Sequence, residues 1–228
     1  MKDAANKNIS KNEDMIIPKL HYISQGSSPK EHLENIQKAC TSGIELVQFR
    51  LKNVSEKKFF KVAKEAREIT SHYQTRLIIN EHYKIAKEIK ADGVHLETTD
   101  SCPIAARKQL YSWQTIGGTA NTIQDCETLL IKEVDYISLG PFRVTTSKGH
   151  MPPVLGLNGY TVILEALNTK IPIIGVGGIT EEDVTALLET GISGIAISGA
   201  ITQNFDSIST FNQLLGASST EEQRHTFE

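Results

Sequence analysis

Cysteine is scarce in this chain, and its three copies, Cys40, Cys102 and Cys126, show no CxxC spacing. That argues against a disulfide framework and against a zinc site. Cys40 and Cys126 fall in amphipathic stretches, where each reads as a small buried hydrophobe. Long apolar runs are missing too: none approaches the roughly 20 residues of a membrane span. The opening MKDAANKNISKNEDM is polar and has no apolar segment of the secretory type, so a cytoplasmic protein is expected. There is no excess of basic charge. Lys and Arg number 24 against 27 Asp and Glu, a formal net charge of -3, which argues against nucleic-acid binding by bulk charge. A small local basic site for phosphate stays open. The expected partners are therefore small molecules rather than nucleic acid or membrane, and a homo-oligomer is left open. Finally, no GxGxxG opens the first strand–helix unit, where the chain reads SQGSSP. An open doubly wound sheet, the main competing fold, loses its usual dinucleotide fingerprint there.

What is present is a steady alternation of short apolar runs and helical patterns over 228 residues, close to the roughly 250 of a (β/α)8 barrel. KLHYIS, IELVQFR, RLIIN, DGVHLE, WQTIGG, VDYISLG, IPIIGV and GIAIS read as eight strands. Helices are predicted at 29–41, 55–72, 83–90, 103–110, 122–132, 157–167, 180–190 and 208–214. The strands are apolar on both faces, as expected where helices cover the outside and side chains fill the inside. Helix starts carry their own signals. Ser55 can cap, Pro29 and Pro103 suit a first turn, and Thr180-Glu-Glu-Asp183 resembles a capping box. The fold class is thus α/β, a single TIM barrel over 18–216. A disordered arm is expected at 1–17 and a flexible tail at 217–228.

The runs from the second onward end in, or lead directly into, polar or glycine residues. In a parallel barrel these ends open onto one face, so residues from Gln48 to Ser198 converge there. Gly175-Val-Gly-Gly-Ile-Thr180 follows the seventh strand, and Ile197-Ser198-Gly199-Ala200 ends the eighth. Glycine lets backbone N–H groups approach an anion, and barrels frequently bind phosphate at this pair of loops. The plainer alternative is that these glycines only make tight turns. Gln48, Arg50 and Lys52 alternate and so share a face of the second strand. Two cations in a barrel mouth suit an anion, Arg as a bidentate grip and Lys as a point charge; the alternative is a solvated strand end. Asn80-Glu81 and Asp100 bring oxygen donors to adjacent strand ends. Glu81 and Asp100 are candidate magnesium ligands, because that ion takes one or two carboxylates together with phosphate oxygens and water. Two surface acids are the alternative. His95, inside a strand, reads as a satisfied core histidine. Thr145, Ser147 and Lys148 stand on a long loop after the sixth strand with hydroxyls and an ammonium suited to a diphosphate.

This ordered set resembles the thiamine phosphate synthase and thiazole tautomerase family over about 20–215. The landmarks are Gln-x-Arg-x-Lys at 48–52, the strand ending in Asn80 plus an acid, GVHL with Asp100 following, Gly117-Gly-Thr119, DYISLGP with the loop at 145–148, and GVGGI with GIAIS. The resemblance implies a barrel that joins a hydroxymethylpyrimidine diphosphate to a thiazole phosphate and releases diphosphate. It implies that Gln48, Arg50, Lys52, Asn80, Thr145, Ser147 and Lys148 contact the pyrimidine substrate and its diphosphate. It puts Thr119 near the diphosphate, Glu81 and Asp100 on magnesium, and Gly177, Ile197 and Ser198 on the thiazole phosphate. Three positions depart from the family pattern: Glu81 replaces Asp, Thr119 replaces Ser and Ser147 replaces Thr. Each keeps the functional group and changes its reach or bulk by one carbon.

Two other functions compete. A thiazole tautomerase needs a base near the thiazole, expected as a His after the fifth strand, but Asn121 stands there. A non-catalytic phosphate-ligand barrel would not require the full set of cations and carboxylates.

Overall fold

The computed structural model describes residues 16–98, 102–144 and 152–216. Eight parallel strands close into a barrel in sequential order. They are β1 (Leu20–Ile23), β2 (Leu46–Phe49), β3 (Arg76–Asn80), β4 (Gly93–Leu96), β5 (Thr115–Ala120), β6 (Tyr136–Leu139), β7 (Ile173–Val176) and β8 (Gly194–Ile197). The ring closes where β1 pairs with β8, with Tyr22 opposite Ile197.

Helix formation follows local chemistry. In α1 (Pro29–Thr41) the Ser28 hydroxyl accepts from the Glu31 N–H at 3.2 Å, and Pro29 takes the first turn. Its buried Ile36, Ala39 and Cys40 share one stripe. In α2 (Glu56–His72) Ser55 caps at Lys58, and Phe59, Val62, Ala63, Ala66 and Thr70 face inward. Shorter helices follow: α3 (Tyr83–Glu88), α4 (Pro103–Arg107), α5 (Ile123–Ile131), α6 (Gly156–Ala166) and α7 (Val184–Glu189), the last led by a 3₁₀ turn at Glu181–Asp183. The capping box at Thr180 and Asp183 forms, as does one at Thr122 and Asp125. One helix was not anticipated. A five-residue α8 (Gly199–Gln203) follows β8 directly, ahead of the expected last helix, α9 (Ser207–Leu214). Five residues are too few to carry a 3.6-residue period, so the sequence pattern passes over them.

Strand alternation splits the core in two. Val47, Phe49, Leu77, Ile79, Ile137, Ile173, Ile195 and Ile197 point outward and pack under the helices. Tyr136, Ile174 and Ala196 point inward, where Ile23 and Val176 join them. Ile17, at the end of the expected N-terminal arm, packs into this inner cluster and is buried.

Two acids repeat one device on the outside. Asp92 pairs with Arg67 of α2 at 2.6 Å while its Oδ2 accepts from the Leu77 N–H at 2.7 Å. Asp135 does the same with Arg107 of α4 at 2.5 Å and the Ile116 N–H at 2.7 Å. Each stitches a helix to the strand that follows it, opposite the end where the loops gather.

Candidate active site

A cavity of about 450 Å³ opens at the carboxyl ends of the strands. β2 supplies Gln48, with Arg50 just past its end; β4 supplies His95, with Glu97 just past its end; and β5 supplies Thr119, with Asn121 just past its end. The opposite side is formed by Ser138 and Gly140-Pro141 after β6, Gly177-Gly178 after β7, and Ile197-Ser198 after β8. This is the convergence that parallel barrel geometry imposes.

The floor is polar, buried and internally bonded. Asn80 Nδ2 donates to Gln48 Oε1 at 3.4 Å, and Gln48 in turn meets the Tyr136 hydroxyl. That hydroxyl lies 3.0 Å from His95 Nδ1, and His95 Nε2 lies 2.8 Å from the Thr119 hydroxyl. Both hydroxyls can donate or accept, so either neutral tautomer of His95 is satisfied. Burial pushes the Tyr136 phenol up, with the nearby Asp135 adding to it, so it stays protonated. The ring has room because residue 117 is glycine: a Cβ there would stand 2.1 Å from Tyr136 Cζ. Below it, His21 meets Tyr136 edge-on at 5.3 Å and bonds the Pro18 carbonyl at 2.9 Å. Burial lowers the His21 pKa to about 3, so the imidazole is neutral near pH 7.

The rim is ionic on one side. Arg50 reaches Glu97 at 3.8 Å, and Lys52 reaches Glu81 at 3.4 Å. Glu81 sits at the end of β3 with φ 68°, a left-handed turn, and its N–H donates to the His95 carbonyl at 2.8 Å. The Arg50 backbone is fixed by its N–H donating to Ser24 Oγ at 3.0 Å.

Across the cavity the rim is backbone. Gly177 and Gly178 take φ values of 97° and 71°, which disfavour any side chain, and a Cβ on Gly177 would lie 2.7 Å from Pro141 Cβ. Their carbonyls are turned to Arg143, whose N–H donates to Gly177 O and whose Nη1 donates to Gly178 O, both at 2.9 Å. Arg143 also forks onto Asp183 at 2.6 and 2.5 Å. These bonds, chiefly the Arg143 pairing and the Thr180 donors, hold the Asp183 carboxyl below the usual range against the opposing effect of its burial. The Ser198 hydroxyl contacts Gln25 Oε1 at 3.4 Å.

A family described as thiamine monophosphate synthase matches this chain over residues 20–201. The chain belongs to that family. Thiamine-phosphate synthase of Flavobacterium johnsoniae is 42% identical over 189 residues, 82% of this chain and 89% of that one. The protein of the same name from Bacteroides fragilis is 38% identical over 199 residues, covering 86% and 98%. A solved structure, thiamine phosphate pyrophosphorylase from Pyrococcus furiosus, superimposes with a TM-score of 0.76 at 25% identity, covering 87% of this chain and 95% of that one. A 3-hexulose-6-phosphate synthase, at 14% identity and a TM-score of 0.65, shares the fold alone.

For a member of this family, six residues singled out from sequence line one cavity: Gln48, Arg50, Thr119, Gly177, Ile197 and Ser198. Ile197 does so although its side chain belongs to the outer core, which leaves its backbone for the cavity. Asn80 lies buried behind Gln48, and Lys52 and Glu81 pair beside the mouth. Asp100, Thr145, Ser147 and Lys148 lie outside the described residues. His95 is buried and bonded as expected of a core residue, yet it also lines the cavity. Sequence reasoning missed Glu97, Ser138 and Arg143. The signal for Glu97 was there, since period two from Gly93 places His95 and Glu97 on the same face. Arg143 gave none, because its partners come from a separate strand–helix unit.

Proposed function

We propose that this cavity joins a hydroxymethylpyrimidine diphosphate to a hydroxyethylthiazole phosphate, giving thiamine phosphate and diphosphate. The chain is a transferase, and this is the activity for which its relatives are named. The observation that carries the reading is the pairing of two anion-suited rims across one cavity. Arg50 stands on one side, and the Gly177-Gly178 turn with Ser198 stands on the other. One substrate with a diphosphate and one with a phosphate match that arrangement.

The chemistry needs positioning more than it needs a protein nucleophile. The electron-rich pyrimidine lets its methylene–oxygen bond break with the electron pair leaving on diphosphate. The thiazole nitrogen then donates its lone pair to the methylene carbon and forms the new carbon–nitrogen bond. Gln48 and Asn80 orient the pyrimidine. Arg50, Lys52, Thr119, Thr145, Ser147 and Lys148 hold the diphosphate and stabilise the charge that grows on it. Gly177, Ile197 and Ser198 seat the thiazole phosphate.

Glu81 fits a magnesium ion in donor chemistry: it is a hard-oxygen carboxylate, partly exposed at a strand end, beside the cation expected on the diphosphate. Glu81 and Asp100 would hold the ion, which when bound adds positive charge against the departing diphosphate. Asn121 does not supply a tautomerase base, because an amide side chain has no basic site and its Nδ2 donates to the Gly140 carbonyl.

The test is incubation with both substrates and magnesium, followed by assay for diphosphate. Release that needs both substrates supports the synthase. Thiazole isomerisation without release would make the chain a tautomerase, and binding without either reaction would leave a phosphate-ligand barrel.

A further inference from the structure

Ser138 lines the cavity from β6, and its hydroxyl is buried without a hydrogen-bond partner among the described residues. The residue is 4% exposed. Strand alternation turns it inward with Tyr136, one layer nearer the mouth. Its register neighbours are Thr119 of β5 and Ile174 of β7. Neither bonds it. The Thr119 hydroxyl is turned to His95 Nε2 at 2.8 Å, and Ile174 belongs to the apolar inner cluster with Ala196, Ile23 and Val176. Asn121 Nδ2 is committed to the Gly140 carbonyl. A buried hydroxyl left unanswered costs stability that alanine would not cost. Buried polar groups are nearly always bonded, so one that faces a ligand cavity points to a bond made with the ligand.

We infer that Ser138 is a specificity-determining contact for the pyrimidine, its hydroxyl accepting a hydrogen bond from the ring amino group. The inference rests on the synthase reading, in which the pyrimidine carries an amine on the ring carbon beside the one that bears the reactive methylene. β6 lies between β5, which carries Thr119 of the proposed diphosphate site, and β7, which leads to Gly177 of the proposed thiazole phosphate site. Ser138 thus stands on the wall between the two, where the rings must meet. The thiazole gives it little to bond. Its nitrogen needs the lone pair for the new carbon–nitrogen bond, so a hydroxyl donating there would oppose the reaction, and its sulfur is a weak acceptor. The amine offers N–H donors, and giving one to Ser138 Oγ leaves more electron density on the ring.

The test titrates two probes calorimetrically into the full chain with magnesium: hydroxymethylpyrimidine monophosphate, and the same molecule with hydrogen in place of the amine. A monophosphate leaves less readily than a diphosphate, so both survive the titration. Ser138→Ala should bind the amino probe about three- to tenfold more weakly than the parent, the size of one neutral hydrogen bond, and bind the other probe within about twofold of it. Its Tm should match or exceed the parent's, because no bond is lost in the free protein. In steady-state turnover the KM for the thiazole phosphate should not move. A fall in Tm, or equal losses for the two probes, would make the hydroxyl structural and overturn the inference while the synthase reading stands. A raised thiazole KM with unchanged affinity for the amino probe would give the hydroxyl to the other substrate and overturn it too. If the parent binds neither probe, the pyrimidine is misplaced and the inference falls; diphosphate release from the two substrates then shows whether the synthase reading falls with it.

Discussion

The floor and the rim of the cavity are both polar, but they are satisfied in different ways. On the floor, Gln48, Tyr136, His95 and Thr119 bond one another and are buried. On the rim, Arg50 and Lys52 pair with carboxylates that a substrate can displace, and the opposite side offers a glycine turn. A closed network of neutral groups fixes a shape, and removing one member leaves another buried without a partner. Ion pairs that a ligand can replace leave their cations able to meet it. The difference separates residues that keep the barrel mouth in shape from residues that act.

The sharpest way to break this comparison is Arg50→Ala. If Arg50 stabilises charge on the leaving diphosphate, its loss should raise the barrier by about 3–4 kcal/mol, or two to three orders of magnitude in kcat. The loss of folding stability should be smaller than the loss of transition-state stabilisation, because the lost contact is a single, long ion pair at 3.8 Å. A steady-state assay beside a thermal melt reads both. A large fall in Tm with a small change in kcat would move Arg50 from the acting class to the structural one.

The floor should answer to acid instead. His21 is neutral in the fold with a pKa of about 3, against an ordinary value of 6.5. The unfolded chain binds a proton there that the folded chain refuses. Its contribution is therefore fully present above pH 6.5 and is lost as pH falls toward 3. Between those limits stability should drop by up to about 1.4 kcal/mol per pH unit from this group. Denaturant unfolding of the parent and of His21→Gln across that window isolates the effect. Equal slopes would show that His21 is not buried neutral.

Tyr136→Phe tests the same region at neutral pH. It removes the hydroxyl that meets both Gln48 and His95, so stability should fall by about 1–3 kcal/mol. The expected effect on kcat is smaller than that of Arg50→Ala, as the phenol touches neither proposed anion site.

The rim was more legible in the sequence than the floor. Arg50 and Lys52 stand two apart after the second strand, and GVGGIT announces a glycine turn, so single segments carried the information. The eight strands were legible for the same reason, since each is a contiguous apolar run. The floor depends on pairs far apart in the chain: His95 with Tyr136, Asn80 with Gln48, and Gly117 making space for a ring on the neighbouring strand. No local pattern encodes such pairings. Helix α8 was missed because it is shorter than two turns. Glu97 was missed because the alternation of β4 was not carried past the last apolar residue.

The smallest expected effect belongs to Arg143, which joins the β6 and β7 ends of the rim. Its side chain is 49% exposed, so the fork onto Asp183 should hold less than about 1 kcal/mol of folding energy. Its other bonds matter more to position. The Nη1 contact to Gly178 O and the backbone bond to Gly177 O fix the direction in which the glycine turn faces. Arg143→Ala removes the first and keeps the second, so the turn should loosen without unfolding. The KM for the thiazole phosphate should then rise severalfold, with the KM for the pyrimidine diphosphate and the Tm nearly unchanged. Arg143→Lys should recover only part of the loss, because an ammonium cannot bond Asp183 and Gly178 through one planar fork. Gly177→Ala provides the upper bound on the same readout. Its Cβ meets Pro141 at 2.7 Å in a backbone region that disfavours side chains, so it should raise that KM further and lower stability by about 1–2 kcal/mol. If Arg143→Ala raised both KM values equally, the arginine would be shaping the whole mouth rather than the glycine turn. The division of the rim into a side-chain half and a backbone half would then be lost.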